Sequence, residues 1–443
     1  MFGCSEHEHH RRLDDALTEH LATPTRLDRL NRTDALDGDA VMEAWESRRI
    51  SRRTLLKSTG AMALAAAAPA ALTLPAAASG SSGGHVGKTI TIESTITGAN
   101  PTVHLGQFRM DLPDITTVES GDVIRFPNTL THFLGALQPG LTIQQIAQLR
   151  IDNPGRGPHS IIGPIGVRDA HPGDVLEVRF RRLDPIDFGA NFHNPLILNP
   201  DGTVKLRTGV LPEEFPNGQV IYFNLDNRRH RTQFRPGLGV HIPLAPFQGT
   251  FGLAPRGTDL VVSSVPPGQH AGNIDLREMV AGSSLFIPVW REGGRIYTGD
   301  SHVAQGDGEV NLTAIESAMR NLEVQVVLHQ GALAAVAEAD RWPMVETRTH
   351  WIAVATALPV PDAPPAPAAK LLHAFGEAFI RALQNVINFL DTKAGLTPDD
   401  AYALSSIAVS FRFTQAVDGN LGVHGMIPKA LFDQDLRERI KVA

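Results

Sequence analysis

The sequence contains almost no cysteine: one residue, Cys4, in 443. A single thiol excludes an intrachain disulfide and cysteine-rich zinc or iron–sulfur sites. Positive charge is not in excess either, since 40 lysines and arginines face 47 aspartates and glutamates, for a net charge of −7. This balance predicts no nucleic-acid partner and no general attraction to an anionic membrane. With 40 glycines and 31 prolines, the chain is interrupted too often for a coiled coil or a simple helical bundle.

The first 80 residues differ in composition from the rest and have the pattern of an export leader. Ser51–Lys57 contains the arginine pair of a twin-arginine signal, and an uncharged, alanine-rich run follows over residues 58–78. That run is nearly long enough to span a bilayer, so a retained anchor is the alternative. Its prolines and the small residues Ala76–Ala78 favour cleavage instead. We therefore expect residues 1–80 to engage the twin-arginine export machinery and to be removed. The mature protein would be periplasmic or extracellular, without cysteine and without stable membrane association.

The next 270 or so residues have the pattern of short β-strands joined by loops rich in proline and glycine. β-branched residues dominate some of these segments, and apolar and polar residues alternate in others, as half-buried strands require. The predicted strands are Thr89–Ile96, Val175–Phe180, Ser284–Val289, Leu322–Leu328 and Trp351–Ala357. Many short strands without intervening helices favour a β-sandwich or barrel over a βαβ fold. We assign this mainly β body to residues 85–358.

A proline-rich segment, Pro359–Pro367, separates the predicted strands from a helical pattern. Apolar residues then recur every three or four positions from Leu371 to Leu390, which predicts an amphipathic helix. Gly395 suits a helix C-terminus, and Thr397-Pro398 followed by two aspartates suits the start of a second helix. The sequence therefore predicts a helical hairpin within a helical segment, residues 368–443, packed on the β body.

Polar side chains that suit a metal site are concentrated between Gly268 and Glu309, interleaved with glycines. Glycine lets the backbone approach a ligand closely, so that such side chains can converge. Asp300 and His302 would face the same side of an extended strand. A carboxylate and imidazole set without cysteine suits a divalent cation with an open coordination position, although Asp-Gly pairs are also ordinary turns. The polar members are Asn273, Asp275, Asp300, His302, Gln305, Asp307 and Glu309.

Several short motifs follow one another along the chain. The central ones are Gly272–Asp275, Gly299–His302 and Gln305–Glu309. Further motifs precede and follow them: Ile162–Ile165, Ala170–Leu176, Ala401–Leu404, Val417–Asn420 and Ile427–Lys429. In sequence and order these motifs resemble the acetamidase/formamidase family. The similarity spans roughly residues 90–443, so it does not rest on one motif.

The resemblance implies a mainly β, jelly-roll-like sandwich with a C-terminal helical hairpin, and a homo-oligomer. It also implies a metal-dependent hydrolase that releases ammonia from small linear amides such as formamide or acetamide. On this basis Asp275, Asp300 and His302 are the expected ligands of a metal, zinc before Mg or Ca. Glu309 and His159 are the expected proton-transfer residues. The expected substrate-binding residues are Asn273, Gln305, Gly306 and His132.

Two other functions stay open at this point. A hydrolase of cyclic amides fits the same resemblance, and so does a periplasmic small-molecule-binding protein without catalysis. Ala271 stands where the family usually has glycine, and Arg291–Arg295 differs from the family's loop, so the substrate is less defined than the reaction type. A serine nucleophile is disfavoured because no Gly-x-Ser-x-Gly elbow is present. A cysteine nucleophile is excluded from the mature chain.

Overall fold

A computed structural model of the chain describes residues 87–206, 208–357, 368–418 and 421–443. The predicted leader, its twin-arginine motif and the segment Pro359–Pro367 lie outside the described residues. Ser81–Ala443 forms one unit by its internal contacts, so the β body and the C-terminal segment belong to the same fold.

β-Strands are the main regular secondary structure of the described chain. The strands, numbered along the chain, are β1 (Thr89–Thr91), β2 (Val103–Leu105), β3 (Gln107–Arg109), β4 (Thr117–Val118), β5 (Val123–Phe126), β6 (Ser160–Val167), β7 (Val175–Pro185), β8 (Phe188–His193), β9 (Ile197–Leu198), β10 (Val204–Leu206), β11 (Gln219–Asn224), β12 (Arg231–Gln233), β13 (His241–Pro243), β14 (Phe247–Leu253), β15 (Val261–Ser263), β16 (Ala271–Asn273), β17 (Ser284–Pro288), β18 (Ile296–His302), β19 (Glu316–Ser317), β20 (Met319–His329), β21 (Met344–Glu346), β22 (His350–Thr356), β23 (Ser410–Gln415) and β24 (Gly422–Pro428).

Two nine-stranded sheets contain most of these strands. Sheet 1 has the order β1-β5-β20-β7-β17-β21-β22-β24-β23. Sheet 2 follows the path β11-β8-β19-β18-β14-β16, with β6 paired to β18 and with β2 and β4 paired to β6. Pairing is antiparallel except for β1 with β5 and β4 with β6. The predicted mainly β sandwich is confirmed.

One hydrophobic core lies between the sheets and joins them. Phe180 of β7 in sheet 1 meets Phe251 of β14 in sheet 2 edge-to-face, with ring centroids 5.6 Å apart. Both side chains are buried, as are Val324 of β20 and Ile296 of β18 in the same cluster. Burial of aromatic and branched side chains from both sheets supplies the main driving force for their association.

The C-terminal segment contains the predicted helical hairpin. The helices are α1 (Ile143–Ile151), α2 (Ala368–Ala394), α3 (Pro398–Ala408) and α4 (Gln434–Arg439), with short 3-10 turns at Glu338–Asp340 and Lys429–Leu431. Gly395 follows α2 with φ +72°, a conformation that costs glycine little. The Thr397 side chain caps α3 by accepting a hydrogen bond from the Asp400 backbone N–H. None of the described helices is long and apolar enough to cross a membrane.

The prediction that residues 368–443 are a helical segment is incomplete, because β23 and β24 form within it and complete one edge of sheet 1. β24 pairs with β22 and β23 pairs with β24. A cluster centred on Trp351 joins β22 to α2 through Phe389 and Leu390. The C-terminal segment is therefore part of the sandwich, and its chain beyond β23 can reach sheet 2.

Candidate active site

A cavity of about 60 Å³ lies in sheet 2, beside the end of β18. Its floor includes the buried Phe133, Phe192 and Thr313 and a set of buried polar side chains, most of them titratable: His132, His159, Asn194, Asn273, Asp275, Asp300, His302, Glu309 and Glu316. Its rim consists of half-buried side chains: Arg150, Pro158, Thr208, Val265, Leu312 and Asp418. Each water-sized guest needs roughly 10–15 Å³ by this measure, so the cavity takes a molecule of about four to six non-hydrogen atoms.

The fold makes room for this cluster by placing glycine opposite Asp300. β14 and β18 are antiparallel, and the register Gln248–Ser301 and Thr250–Gly299 sets Gly249 across from Asp300. A Cβ at Gly249 would lie 2.6 Å from a carboxylate oxygen of Asp275, 2.6 Å from one of Asp300 and 2.7 Å from His302 Cε1. Three site residues therefore occupy the space that a side chain at position 249 would need.

Three acidic residues of the cavity have left-handed backbone conformations: Asp275 (φ 47°), Asp300 (φ 58°) and Glu309 (φ 47°). This region is uncommon for residues with a side chain, and strain of this kind clusters at functional sites. In each case the surrounding fold holds a carboxylate in the cavity despite the backbone cost.

The three predicted metal ligands lie together. Asp275, Asp300 and His302 each offer a ligand atom, and these atoms lie within 4.8 Å of one another. Both carboxylate oxygens of Asp275 are buried without a hydrogen-bond partner among the described residues. Burial and the nearby Glu309 raise the pKa of Asp275 well above its usual value. A buried, unpartnered carboxylate among other acids is the setting that a cation stabilises.

Gln305 supports His302 from behind and does not line the cavity. Its Oε1 lies 2.9 Å from His302 Nδ1, and its Nε2 donates a hydrogen bond to the Asp275 carbonyl oxygen at 2.8 Å. Oε1 is therefore the acceptor, so Nδ1 carries the hydrogen and Nε2 of His302 faces Asp300. Gln305 and the exposed Gly306 line a different cavity, and the prediction that they bind substrate at this site is not supported by their positions.

His132 lines the cavity, and its ring also contacts two carboxylates of the cluster. Its Nε2 lies 2.7 Å from Asp300 Oδ1 and 3.1 Å from Glu316 Oε2. His302 Nε2 is also 3.1 Å from Glu316 Oε2. Burial alone would lower the pKa of His132, but Glu316 and Asp300 raise it to about 9. Burial would raise the pKa of Glu316, but His302 and His132 lower it. These groups form an ionised network.

Glu316 is a site residue that sequence reasoning missed. It begins β19 and pairs with His302 of β18 and with Ala190 of β8. The signal in the sequence is a single acid within an apolar run, Ala314-Ile315-Glu316-Ser317-Ala318. A lone carboxylate in a buried strand needs a partner, and this pattern could have marked it.

His159 lies at the predicted place but in a neutral form. Its Nδ1 shares a 2.8 Å hydrogen bond with the Ser264 hydroxyl, and its Nε2 is 3.9 Å from Asp300 Oδ2. Burial lowers the pKa of His159 to about 4. At neutral pH this imidazole is therefore uncharged, and it can donate or accept a hydrogen bond in the cavity.

Glu309, Asn273 and Asp418 converge with Asp275 on the other side of the cavity. Ligand atoms of Asp275, Glu309 and Asp418 lie within 4.8 Å of one another. Asn273 Nδ2 donates to Asp418 Oδ2 at 2.8 Å, and Asn273 Oδ1 accepts from the Thr250 hydroxyl at 2.6 Å. Burial raises the pKa of Glu309 well above its usual value and that of Asp418 to about 7. Asp418 follows β23 and lies within the family motif Val417–Asn420, but its Asp-Gly pair is also typical of a turn, so the sequence assigned it no role.

The sequence matches a known protein family. The model of the Acetamidase/Formamidase family matches residues 92–263 and 258–434, which together span most of the chain. The chain belongs to the acetamidase/formamidase family. The matched residues include the whole cluster of acids and histidines described above.

Curated members of the acetamidase/formamidase family are similar over part of their length. The acetamidase of Mycolicibacterium smegmatis is 36% identical over 231 residues, covering 40% of this chain and 54% of that protein. The formamidase of Methylophilus methylotrophus is 24% identical over 216 residues, covering 38% of this chain and 51% of that protein. The match thus spans about half the length of these two relatives.

Solved structures show the same fold. An acetamidase from Bacillus halodurans superposes with a TM-score of 0.61 at 22% identity, covering 77% of this chain and 98% of that one. A predicted acetamidase/formamidase from Thermoanaerobacter tengcongensis gives a TM-score of 0.61 at 21% identity, covering 78% and 97%. The sandwich with its C-terminal helices is therefore the architecture of this acetamidase/formamidase family.

Proposed function

We propose that this chain is a metal-dependent amidohydrolase that cleaves small linear amides to a carboxylate and ammonia. The observation that carries the proposal is the convergence of buried acids and histidines around a cavity that takes about four to six non-hydrogen atoms. Formamide and acetamide have three and four such atoms. Membership of the acetamidase/formamidase family supports the same reaction.

We assign the metal to Asp275, Asp300 and His302. The residues fit such an ion because the Asp275 oxygens are buried without partners and the Nε2 atom of His302 faces the carboxylate of Asp300. Mixed imidazole and carboxylate donors favour zinc, while the number of oxygens keeps Mg and Ca as alternatives to test. When bound, the ion polarises the amide carbonyl and acidifies a water molecule.

The protein's own residues move the protons and orient the substrate. Glu309 accepts one proton of the attacking water and passes it to the leaving nitrogen, so that water and amide become a carboxylic acid and ammonia, which ionise in water to carboxylate and ammonium. Asn273 and Glu309 both lie on the cavity floor, and Asn273 orients the amide there. His159 is neutral, so it donates or accepts a hydrogen bond in the cavity and does not supply a charge-neutralising proton.

Ammonia release from formamide and acetamide by the zinc-loaded protein tests this function. We expect Glu309→Gln and treatment with a chelator each to lower turnover by at least about 100-fold. Glu323→Gln is the matched control, because Glu323 is a half-buried carboxylate of sheet 1 that faces Arg125 at 3.7 Å. No turnover of any amide by metal-loaded protein would contradict the proposal, and binding without turnover would support a binding protein instead.

The location and assembly of the protein are part of the proposal. The arginine pair and alanine-rich run before residue 80 support export by the twin-arginine route. N-terminal sequencing of the exported protein tests this, and retention of residue 50 in the mature form would refute cleavage. The homo-oligomer that the family resemblance suggests is tested by sedimentation.

A further inference from the structure

Arg150 is a cation on the rim of a cavity that is otherwise lined by acidic, neutral and imidazole groups. It lies in the last turn of α1 and is half-buried. No other lysine or arginine of the described chain lines this cavity. Arg150 is also close enough to His159 to help lower the pKa of that imidazole. A fixed positive charge thus stands near the groups to which the amide binds.

The guanidinium of Arg150 retains free hydrogen-bonding capacity. Its Nη1 donates to the carbonyl oxygen of Arg156, which holds the loop after α1. Among the described residues, Nε and Nη2 have no hydrogen-bond partner, and no carboxylate lies within ion-pair distance of Arg150. Asp418, the acid on the same rim, attracts Arg150 electrostatically from beyond ion-pair distance, and its Oδ2 accepts a hydrogen bond from the Asn273 amide.

A second polar group of this cavity also lacks a partner. Asn194 is 4% exposed, and its Oδ1 has no hydrogen-bond partner among the described residues. Its backbone N–H donates to the Thr208 hydroxyl at 3.1 Å. A buried acceptor without a donor costs free energy unless a guest supplies the donor. The N–H of a primary amide is such a donor.

We propose that the preferred substrates are short primary amides that carry a carboxylate, which Arg150 binds on the rim while the amide lies on the floor. This inference rests on the proposed function. A neutral amide that covers Arg150 removes water from the guanidinium charge without offering an opposite charge in return. A carboxylate offers that charge, and its two oxygens can bind the guanidinium in bidentate geometry. Phe133 and Phe192 line the same cavity and provide an apolar wall for the connecting carbon. Oxamate, with six non-hydrogen atoms, matches the cavity volume, and malonamate, with seven, extends its carboxylate onto the rim beside Arg150.

Isosteric pairs of amides test the proposal. Malonamate and acetoacetamide have the same number of non-hydrogen atoms and differ in the charged group, as do oxamate and pyruvamide. We expect the metal-loaded protein to favour the charged member by at least about 10-fold in kcat/KM. Arg150→Met should abolish the preference, mainly through a higher KM for the charged member, and Arg150→Lys should restore part of it. Arg156→Met, an exposed arginine in the adjoining loop, is the control and should keep the preference.

The outcomes separate this inference from the proposed function. Hydrolysis of acetamide without preference for the charged members overturns the inference alone. An equal loss for charged and neutral members in Arg150→Met also overturns it, because that result indicates a structural role. If no amide is hydrolysed, the proposed function fails, and calorimetry then decides the inference: tighter binding of malonamate than of acetoacetamide supports it, and equal binding overturns it.

Discussion

The two sheets of the sandwich are similar in size but differ in what their strands bury. In sheet 1, β7 and β20 alternate: Val324 and Val326 face the core while Glu323 and Gln325 are half-buried on the other face. In sheet 2, every residue of β6, β14 and β18 is buried. The strand β20 and the second half of β7 therefore have one solvated face, whereas β6, β14 and β18 are covered on both faces.

This difference determines where polar chemistry can occur. The exposed charged groups of β7 and β20, such as Arg179 and Arg320, lie in water, which screens their charges. Asp300 and His302 of β18 are 3% and 1% exposed, so each depends on its protein neighbours for stabilisation. Burial alone would raise the pKa of Asp300, but the charge of His302 and a hydrogen bond with His132 hold it well below its usual value. Both sheets contribute to the core, and sheet 2 in addition holds the buried cluster of acids and histidines at an energetic cost.

The largest effect is expected when a core side chain of sheet 1 is truncated. Phe180→Ala removes a buried ring that meets Phe251 across the sandwich, and it should lower the free energy of unfolding by about 3–5 kcal/mol. Below the unfolding transition, amidase activity should stay within a factor of about two, because the ring does not line the cavity. Chemical denaturation and ammonia release measure the two effects. A large loss of activity in fully folded protein would show that the sheets are not functionally separate.

The second prediction concerns sheet 2, where a side-chain atom is added beside the cluster. Gly249→Ala places a Cβ 2.6 Å from oxygens of Asp275 and Asp300, so these carboxylates must move. We expect metal content to fall and kcat/KM to drop by about 100-fold, since displacement by a fraction of an ångström disrupts a catalytic cluster. Metal analysis and kinetics measure this. Gly376→Ala is the control, because nothing lies within 4 Å of a Cβ there, and it should leave activity unchanged. Full activity with full metal content in Gly249→Ala would contradict the geometry described for β14 and β18.

The smallest expected effect concerns an exception within sheet 1. Burial would raise the pKa of Glu177, but hydrogen bonds from His329 and Arg179 lower it to about 2, from an ordinary 4.5. Because the folded-state pKa is depressed, the stabilisation is present above pH 4.5 and is lost as pH falls toward 2. Glu177→Gln should therefore cost about 1–2 kcal/mol at neutral pH, and the gap to the unaltered protein should narrow on acidification. Urea unfolding across this range measures the gap, and a gap that is constant with pH would assign the effect to packing.

Local patterns in the sequence were enough to predict several elements of the fold. The alternation of Val175–Phe180 and Leu322–Leu328 matches β7 and β20. Thr397 and Gly395 mark the ends of two helices because capping depends on residues a few positions apart. β23 was missed because it follows a strong helical pattern, and its pairing with β24 is decided by the edge of sheet 1.

The candidate site was predicted in part. Asp300 and His302 converge, with His302 Nε2 3.2 Å from Asp300 Oδ1, but Asp300 has a left-handed backbone conformation and not the extended one on which the prediction rested. Gln305 is close to them in sequence, but its side chain turns behind the site to hold His302. Glu316 and Asp418 were not assigned because their role depends on strands that meet only in the folded sheet.

The sequence by itself determined the strand-rich body, the helical hairpin and the concentration of acids and histidine between Asn273 and Glu309. These features are local, because they follow from residue type and short spacing. The tertiary structure decided which groups share the cavity: His132 reaches Asp300 across 168 residues of sequence. It also decided their ionisation, and it placed Arg150 on the rim. Burial and the meeting of distant strands control these properties, and neither is encoded in a short stretch of chain.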